Sequence, residues 1–219
     1  MPPELSVLTD PDAFFRERSD DPSLLWPAAI VLVIGLIGLV SGFIQTQAMS
    51  DLMQFEGPGA GIASAFQTIG LIIGLIGAFV VWLLYSGVFH AISVVFDGEG
   101  DFSTTLSLVG YGYVPQVFSG IVSALITYYR FNVVGYTTPD EMTAEAFQEF
   151  SQEVSTGPLV ALDGGLGLLF TLWSAFLWVF AMKYARDLET RDAAITVAVP
   201  VLISAALSVW GIVTGLGLL

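Results

Sequence analysis

The sequence predicts an all-α polytopic membrane protein: one bundle of five transmembrane helices with short interfacial helices. Three observations predict it. Only 12% of the 219 residues are charged and 55% are hydrophobic, at a mean hydropathy of +0.79, whereas soluble domains are about a quarter charged. Five stretches lack any ionised side chain over the length that crosses a hydrocarbon core of about 30 Å, which takes about 20 helical residues. None of the five carries the polar stripe of a helix on a soluble protein's surface.

The elements follow in order. Residues 1–23 form a short acidic segment. Within it Leu8–Arg16 carries a helix-start signature, with Thr9 or Asp10 as cap, Pro11 first and Asp12 in the first turn. Phe14 and Phe15 give that helix an apolar side, so it is expected to lie on the inner membrane interface. The segment is acidic and the apolar run after it exceeds the 7–15 residues of a secretory h-region, so it does not read as a cleaved leader. The spans are placed at about 24–44, 68–96, 102–129, 159–182 and 193–219, with residues 24–219 forming one domain.

Between the third and fourth spans, Thr138–Gly157 predicts an amphipathic outer helix. Thr138 caps it, Pro139 starts it, Asp140 and Glu141 favour its dipole, and Gly157 ends it. Met142, Ala146, Phe150 and Val154 form an apolar stripe beside Glu141, Glu145, Glu149 and Glu153. Gly38/Gly42, Gly70/Gly74 and Gly211/Gly215 are small-residue pairs at the spacing that lets helices approach, within the bundle or in a homo-oligomer.

Charge excludes several functions. Twenty acids against six bases give −14, with Lys183 the only lysine, which is unsuited to nucleic acid. Such acidity suits a high-salt cytoplasm, where dense carboxylates hold water and salt screens their repulsion; a docking face for a basic partner is the other reading. Cysteine is absent, so no disulfide, thiolate or cysteine metal site exists.

Reactive constellations are also missing from the pattern. Asp97–Asp101 imitates half of a calcium loop, but Phe102 and Leu108 stand where glycine and glutamate are required. His90 is the only histidine, which removes paired-histidine zinc sites. No G-x-S-x-G elbow or H-E-x-x-H occurs, and no span carries an ionisable group near its centre. Neither catalytic nor cofactor or metal-binding residues are therefore expected.

Two polar features remain. Ser86, His90, Ser93 and Asp97 recur at helical spacing and predict a polar seam at the inner mouth of the bundle. The stretch Gly110-Tyr111-Gly112-Tyr113-Val114-Pro115-Gln116 interrupts the third span. Pro115 removes the hydrogen bond to the Tyr111 carbonyl, and two glycines loosen the turn before it. The span is expected to be kinked or partly unwound around Tyr111–Pro115, forming a hinge or a small polar cavity. In a bilayer the freed carbonyl needs an internal donor, and Tyr111, Tyr113 or Gln116 could supply one.

The order of these features resembles the Yip family, the Ypt/Rab-interacting five-span membrane proteins, in its prokaryotic, halophilic archaeal form. LTDPDAFFRERSDDPSLLWP (Leu8–Pro27) is similar to the N-terminal approach of prokaryotic members. HAISVVFDGEGDFSTTLSLVGYGYVPQVF (His90–Phe118) is similar to the family's glycine turn followed by Gly-Tyr and a proline. The Asp-Leu-x-Gly-Pro motif of eukaryotic members is absent, and the N-terminal tail is short. The resemblance implies a non-enzymatic membrane-organising or trafficking adaptor, with membrane lipids, other membrane proteins and a small GTPase as partners. A passage for lipid or small solute through the kinked third span is the alternative.

Orientation follows from basic residues, which stay with the cytoplasm. Arg16 and Arg18 precede the first span, and Lys183, Arg186 and Arg191 cluster between the fourth and fifth; only Arg130 falls opposite. A cytoplasmic N-terminus and an external C-terminus in the cell membrane are expected. A single cysteine placed at Glu189 should therefore resist an impermeant maleimide on intact cells and react after lysis, while one in the 51–56 loop shows the reverse. Labelling of position 189 from outside would overturn the orientation.

Overall fold

The computed structural model describes residues 3–53, 58–136 and 143–216. Among them the chain is helical and has no strand. A single 3-10 stretch (Pro3–Leu8) leads into α1 (Pro11–Asp20), α2 (Leu25–Met53), α3 (Pro58–Ser93), α4 (Phe102–Tyr111), α5 (Val114–Tyr129), α6 (Ala144–Ser155), α7 (Pro158–Ala185) and α8 (Thr190–Gly215). Five segments, within α2, within α3, from α5 through residue 134, α7 and α8, are long and apolar enough to cross a membrane.

The surface is the reverse of a soluble protein's. Leu36, Val40, Ile73, Leu84, Leu125, Phe176, Leu202 and Leu207 are exposed, while Ser86, Ser93, Thr105, Ser107, Ser174 and Thr196 are buried. Only a hydrocarbon solvent makes that distribution stable, because apolar side chains lose nothing by facing lipid and polar ones must pair inside. α2 and α3 run well past the expected ends of their spans. Gln45, Thr46 and Gln47 continue α2, since glutamine propagates a helix readily and no glycine or proline intervenes.

α2 lies against α3 and α5, α5 against α7, and α7 along α8; α8 meets α3 more sparsely. The buried side chains gather at one end. Val31 near the start of α2, Trp82 and Phe89 late in α3, α4, Leu177–Ala185 of α7 and Ala193–Val201 of α8 form it. The opposite halves of the same helices bury little.

Small-residue pairs contribute less than their spacing suggests. A side chain on Gly42 would meet Leu71 at 2.8 Å and one on Gly215 would meet Val160 at 3.4 Å, but Gly38, Gly70, Gly74 and Gly211 face open space. The close approach of α2 to α3 falls instead at Gly35, where an added Cβ would stand 3.3 Å from the Leu75 carbonyl oxygen.

At the far end from α1, Thr143 caps α6 by accepting from the Ala146 N–H at 3.2 Å. Thr138, Pro139, Asp140, Glu141 and Met142, which were expected to open this helix, lie outside the described residues. Phe150 of its apolar stripe is buried beside Tyr136, and Arg130 donates to the Val154 carbonyl and, at 3.3 Å, to the Tyr136 hydroxyl.

α1 departs from expectation. Asp10 caps it, accepting from the Ala13 N–H at 3.2 Å. Phe14 and Phe15, however, do not face lipid; they are buried against Leu108, Tyr111, Leu177, Ala181 and Ala185. The reason is α4, whose lower surface offers a protein floor that a five-span reading did not foresee. Phe14 meets the Tyr111 ring edge-on, with centroids 5.0 Å apart. Asp12 adds a polar tie, accepting from Lys183 Nζ at 2.7 Å and from the Tyr184 hydroxyl at 2.8 Å.

The hydrogen bond from Lys183, and after it the one from Tyr184, hold the Asp12 carboxyl below its ordinary range. A lowered carboxylate contributes its stabilisation above the ordinary value of about 4 and loses it as pH falls through the lowered one. Docking of α1 should thus be constant from pH 7 to 5 and loosen below about pH 4, read as faster hydrogen exchange of the α1 amides. Asp12→Asn should remove that acid-dependent step; an unchanged pH profile in this variant would contradict the assignment.

Candidate functional site

The third hydrophobic stretch is unwound into two helices within the expected Tyr111–Pro115 interval. α4 ends at Tyr111 and α5 begins at Val114. Gly112 (φ −64°, ψ −10°) and Tyr113 (φ −81°, ψ −3°) form the turn between them, closed by the short bonds Gly112 N–H to Val109 O (3.1 Å) and Tyr113 N–H to Gly110 O (3.2 Å). Pro115 consequently sits in the first turn of a new helix. There its missing N–H would have had no intrahelical partner, so proline starts the helix without straining it.

Two carbonyls of α4 accept additional bonds from distant indoles, and neither is the Tyr111 carbonyl that Pro115 frees. Trp82 of α3 donates its indole N–H to the Leu106 carbonyl at 2.9 Å, and Trp178 of α7 donates to the Val109 carbonyl at 2.9 Å. The expected donors Tyr111, Tyr113 and Gln116 are used otherwise. Tyr111 is buried under α1. Gln116 donates to Ser174 Oγ at 3.2 Å and more weakly to Thr171 Oγ1 at 3.5 Å. Tyr113 is 7% exposed and its hydroxyl has no hydrogen bond among the described residues. Gly112 is dictated by Trp178, and Gly110 first by Pro27, whose Cβ would lie 2.5 Å from an added Cβ, and then by Trp82. A Cβ at Gly110 would meet Trp82 Nε1 at 3.0 Å, and one at Gly112 would overlap the Trp178 indole.

Below the break lies a chamber of about 290 Å³ lined by Val31, Ile34, Ala78, Val81, Tyr85, Tyr113, Gln116, Thr171 and Trp178. Tyr85, Tyr113 and Trp178 form one aromatic cluster, with centroids 5.1–6.5 Å apart. Gln116 and Thr171 also line a second hollow of about 460 Å³ between α7 and α8, whose wall includes Asp163, Gly164, Gly167 and Ser208. Asp163 is half-buried and accepts from Ser123 Oγ at 3.0 Å, which ties α7 to α5. Of the hinge-or-cavity residues only Tyr113 and Gln116 line the chamber; Gly110, Gly112 and Pro115 do not, and Tyr111 packs against α1.

The seam residues are only partly brought together. Ser86 and Ser93 are fully buried, and His90 Nδ1 lies 3.0 Å from Thr105 Oγ1. Asp97 is not on their line. α3 ends at Ser93, a 3-10 turn follows, and Asp97 is exposed in a left-handed conformation at φ 55°. Helical spacing cannot be carried past the end of a helix, so the fourth member falls into solvent.

Arg186 occupies the place that the spacing gave to Asp97. It is 4% exposed; its Nε donates to Ser93 Oγ at 2.9 Å and its two terminal nitrogens donate to the Gly98 and Gly100 carbonyls. The Glu99 N–H returns to the Arg186 carbonyl at 2.9 Å. Burial lowers its pKa from the ordinary arginine value, and a fork of five donors suits three acceptors as lysine cannot. From the sequence it counted only as a topology signal; its spacing from Ser93 gave no hint of contact. Among the described residues no three His, Asp or Glu side chains converge on a common point.

Gly112→Ala should lower stability by about 1–3 kcal/mol, because the added methyl overpacks against Trp178. Gly70→Ala, on an open helix face, should be neutral or stabilising by up to about 1 kcal/mol. Thermal unfolding in detergent distinguishes the two signs.

The comparisons agree with this architecture. A family model described as the Yip1 domain matches residues 5–212. An uncharacterized protein of Methanocaldococcus jannaschii is 35% identical over 126 residues, covering 57% of this chain and 88% of that protein. No solved structure matches the chain. With nearly its whole length inside the family model and five segments able to cross a bilayer, this chain belongs to the Yip1-domain family of multi-pass membrane proteins.

Proposed function

We propose that this protein acts without catalysis, as a membrane-organising adaptor of the cell membrane, with its N-terminus in the cytoplasm and its C-terminus outside. The observation that carries the reading is the assembled face at the α1 end. α1 is docked by Phe14, Phe15 and Asp12, and Arg186 clasps the 98–100 turn to the end of α7. Around this rigid floor Glu17, Asp20, Asp21, Asp97, Glu99, Asp187 and Glu189 are exposed. A preorganised acidic face costs little entropy to engage and suits a basic segment of another protein. Solvation in high salt is the competing use of the same carboxylates.

A photo-crosslinker at Glu17 in native membranes should yield adducts to a Lys/Arg-rich segment of a membrane protein. The adducts should fall at least tenfold in the combined variant Asp20→Asn and Asp21→Asn. Absence of any adduct, or adducts indifferent to those substitutions, would sink the adaptor reading.

A second reading is favoured by one specific feature: the chamber and the Asp163 hollow share Gln116 and Thr171 as a common wall. Such an arrangement suits a passage for lipid or small solute in which the Gln116 amide is the partition. Vesicles holding the reconstituted protein should then show solute flux or lipid flipping that Gln116→Leu abolishes. No transport in any salt condition would remove this alternative.

A further inference from the structure

The chamber also has a door toward the bilayer. α3 and α8 meet sparsely, and between them Leu84, Tyr85, Val88, Pro200, Ile203 and Ser204 line an outward groove of about 280 Å³. Tyr85 lines both this groove and the central chamber. Its hydroxyl is hydrogen-bonded to Ser204 Oγ across the seam, so one side chain stands between groove and chamber. Pro200 stands inside α8 one turn before Ser204, and proline removes a backbone bond where the helix would have to yield.

The wall chemistry selects the occupant. No carboxylate, lysine, arginine or histidine lines the chamber, so a charged molecule would leave its hydration with nothing in exchange. A pure hydrocarbon would leave the Tyr113 hydroxyl unpaired. Water finds few polar groups among the apolar and aromatic walls, and a buried water needs two to four partners. An uncharged body with one hydrogen-bonding head meets every condition. At the roughly 30 Å³ that a water occupies, the volume accepts about ten non-hydrogen atoms.

We propose that the chamber lined by Tyr85, Tyr113, Gln116 and Trp178 binds an uncharged, membrane-dissolved amphiphile bearing a single hydroxyl or carbonyl head. The ligand enters from the bilayer between α3 and α8, past Tyr85, and its head pairs with the Tyr113 hydroxyl and the Gln116 amide. This site deepens the passage reading by naming its substrate class, but binding does not require transport.

The test uses the full chain in nanodiscs and a diazirine analogue of 1-octanol. Photolabelling should place adducts on Tyr85, Tyr113 or Trp178, reduced about tenfold by excess 1-octanol and unaffected by octanoate or octylammonium. Tyr113→Phe removes a hydroxyl that has no hydrogen bond among the described residues, so its melting temperature should match the parent while half-maximal labelling needs five- to tenfold more probe. Ala78→Phe should fill the chamber and abolish the adducts. Labelling spread evenly over lipid-facing side chains, competition by octanoate, or adducts surviving Ala78→Phe in a folded variant would overturn the site. Absence of flux in vesicles that still bind octanol would remove the passage and leave the site standing.

Discussion

Two indole N–H groups tie the helix break to the neighbouring helices. In hydrocarbon every backbone carbonyl must be satisfied from within the protein, and this chain opens a helix in the middle of an apolar run. Trp178 reaches from α7 to the Val109 carbonyl and Trp82 from α3 to that of Leu106. Beside those bonds the chain turns at Gly112 and Tyr113, and Pro115 stands in the first turn of α5. Gly112 is then obligatory, since the Trp178 ring occupies the volume of any side chain there. α4 becomes a short buried helix whose outer surface receives Phe14 and Phe15, and the docking of α1 follows from the same break.

The arginines are spent at the ends of the bundle. Arg186 is the clearest instance. A buried guanidinium is costly when unpaired, yet here the Ser93 hydroxyl and two turn carbonyls accept all three of its arms. It joins α3, the α3–α4 turn and α7 at one point. At the other end Arg130 does a comparable task for α6 through the Val154 carbonyl. The remaining orphans, the hydroxyls of Ser86, Tyr113 and Thr196, lie between these two ends.

Much of the fold was legible because hydropathy acts residue by residue: the five apolar runs needed no tertiary information to be seen. The break was visible as glycine and proline in one short stretch. Its donors were not, because Trp82 and Trp178 lie 24 and 69 residues from the carbonyls they serve, and such pairing is a property of packing. The same limit hid Arg186, read only as a positive charge, and misplaced Asp97 by extending a helical period beyond the last helical residue. Phe14 and Phe15 were recognisable as an apolar side, but whether lipid or protein covers such a side depends on α4, which periodicity alone merged into a longer span.

Packing is unevenly distributed, and this bears on what the chambers can do. Buried side chains of α2, α3, α7 and α8 concentrate in the halves nearest α1; in the opposite halves Gly70, Gly74, Gly167 and Gly211 face open space, while Gly42, Gly164 and Gly215 pack closely. Regions with few buried contacts open at low free energy, while a dense core stays closed until global unfolding. The helices are therefore clamped at one end and freer at the other, and α8 carries Pro200 close to the transition between the two regimes. The 290 Å³ chamber sits at that transition, walled on one side by the buried Trp178 and on the other by Tyr85 at the sparse α3–α8 seam. Motion of the free halves would widen the chamber without disturbing the tryptophan bonds that hold the break. A rigid floor with a yielding wall is the physical condition for admitting a guest from the bilayer while the fold stays intact.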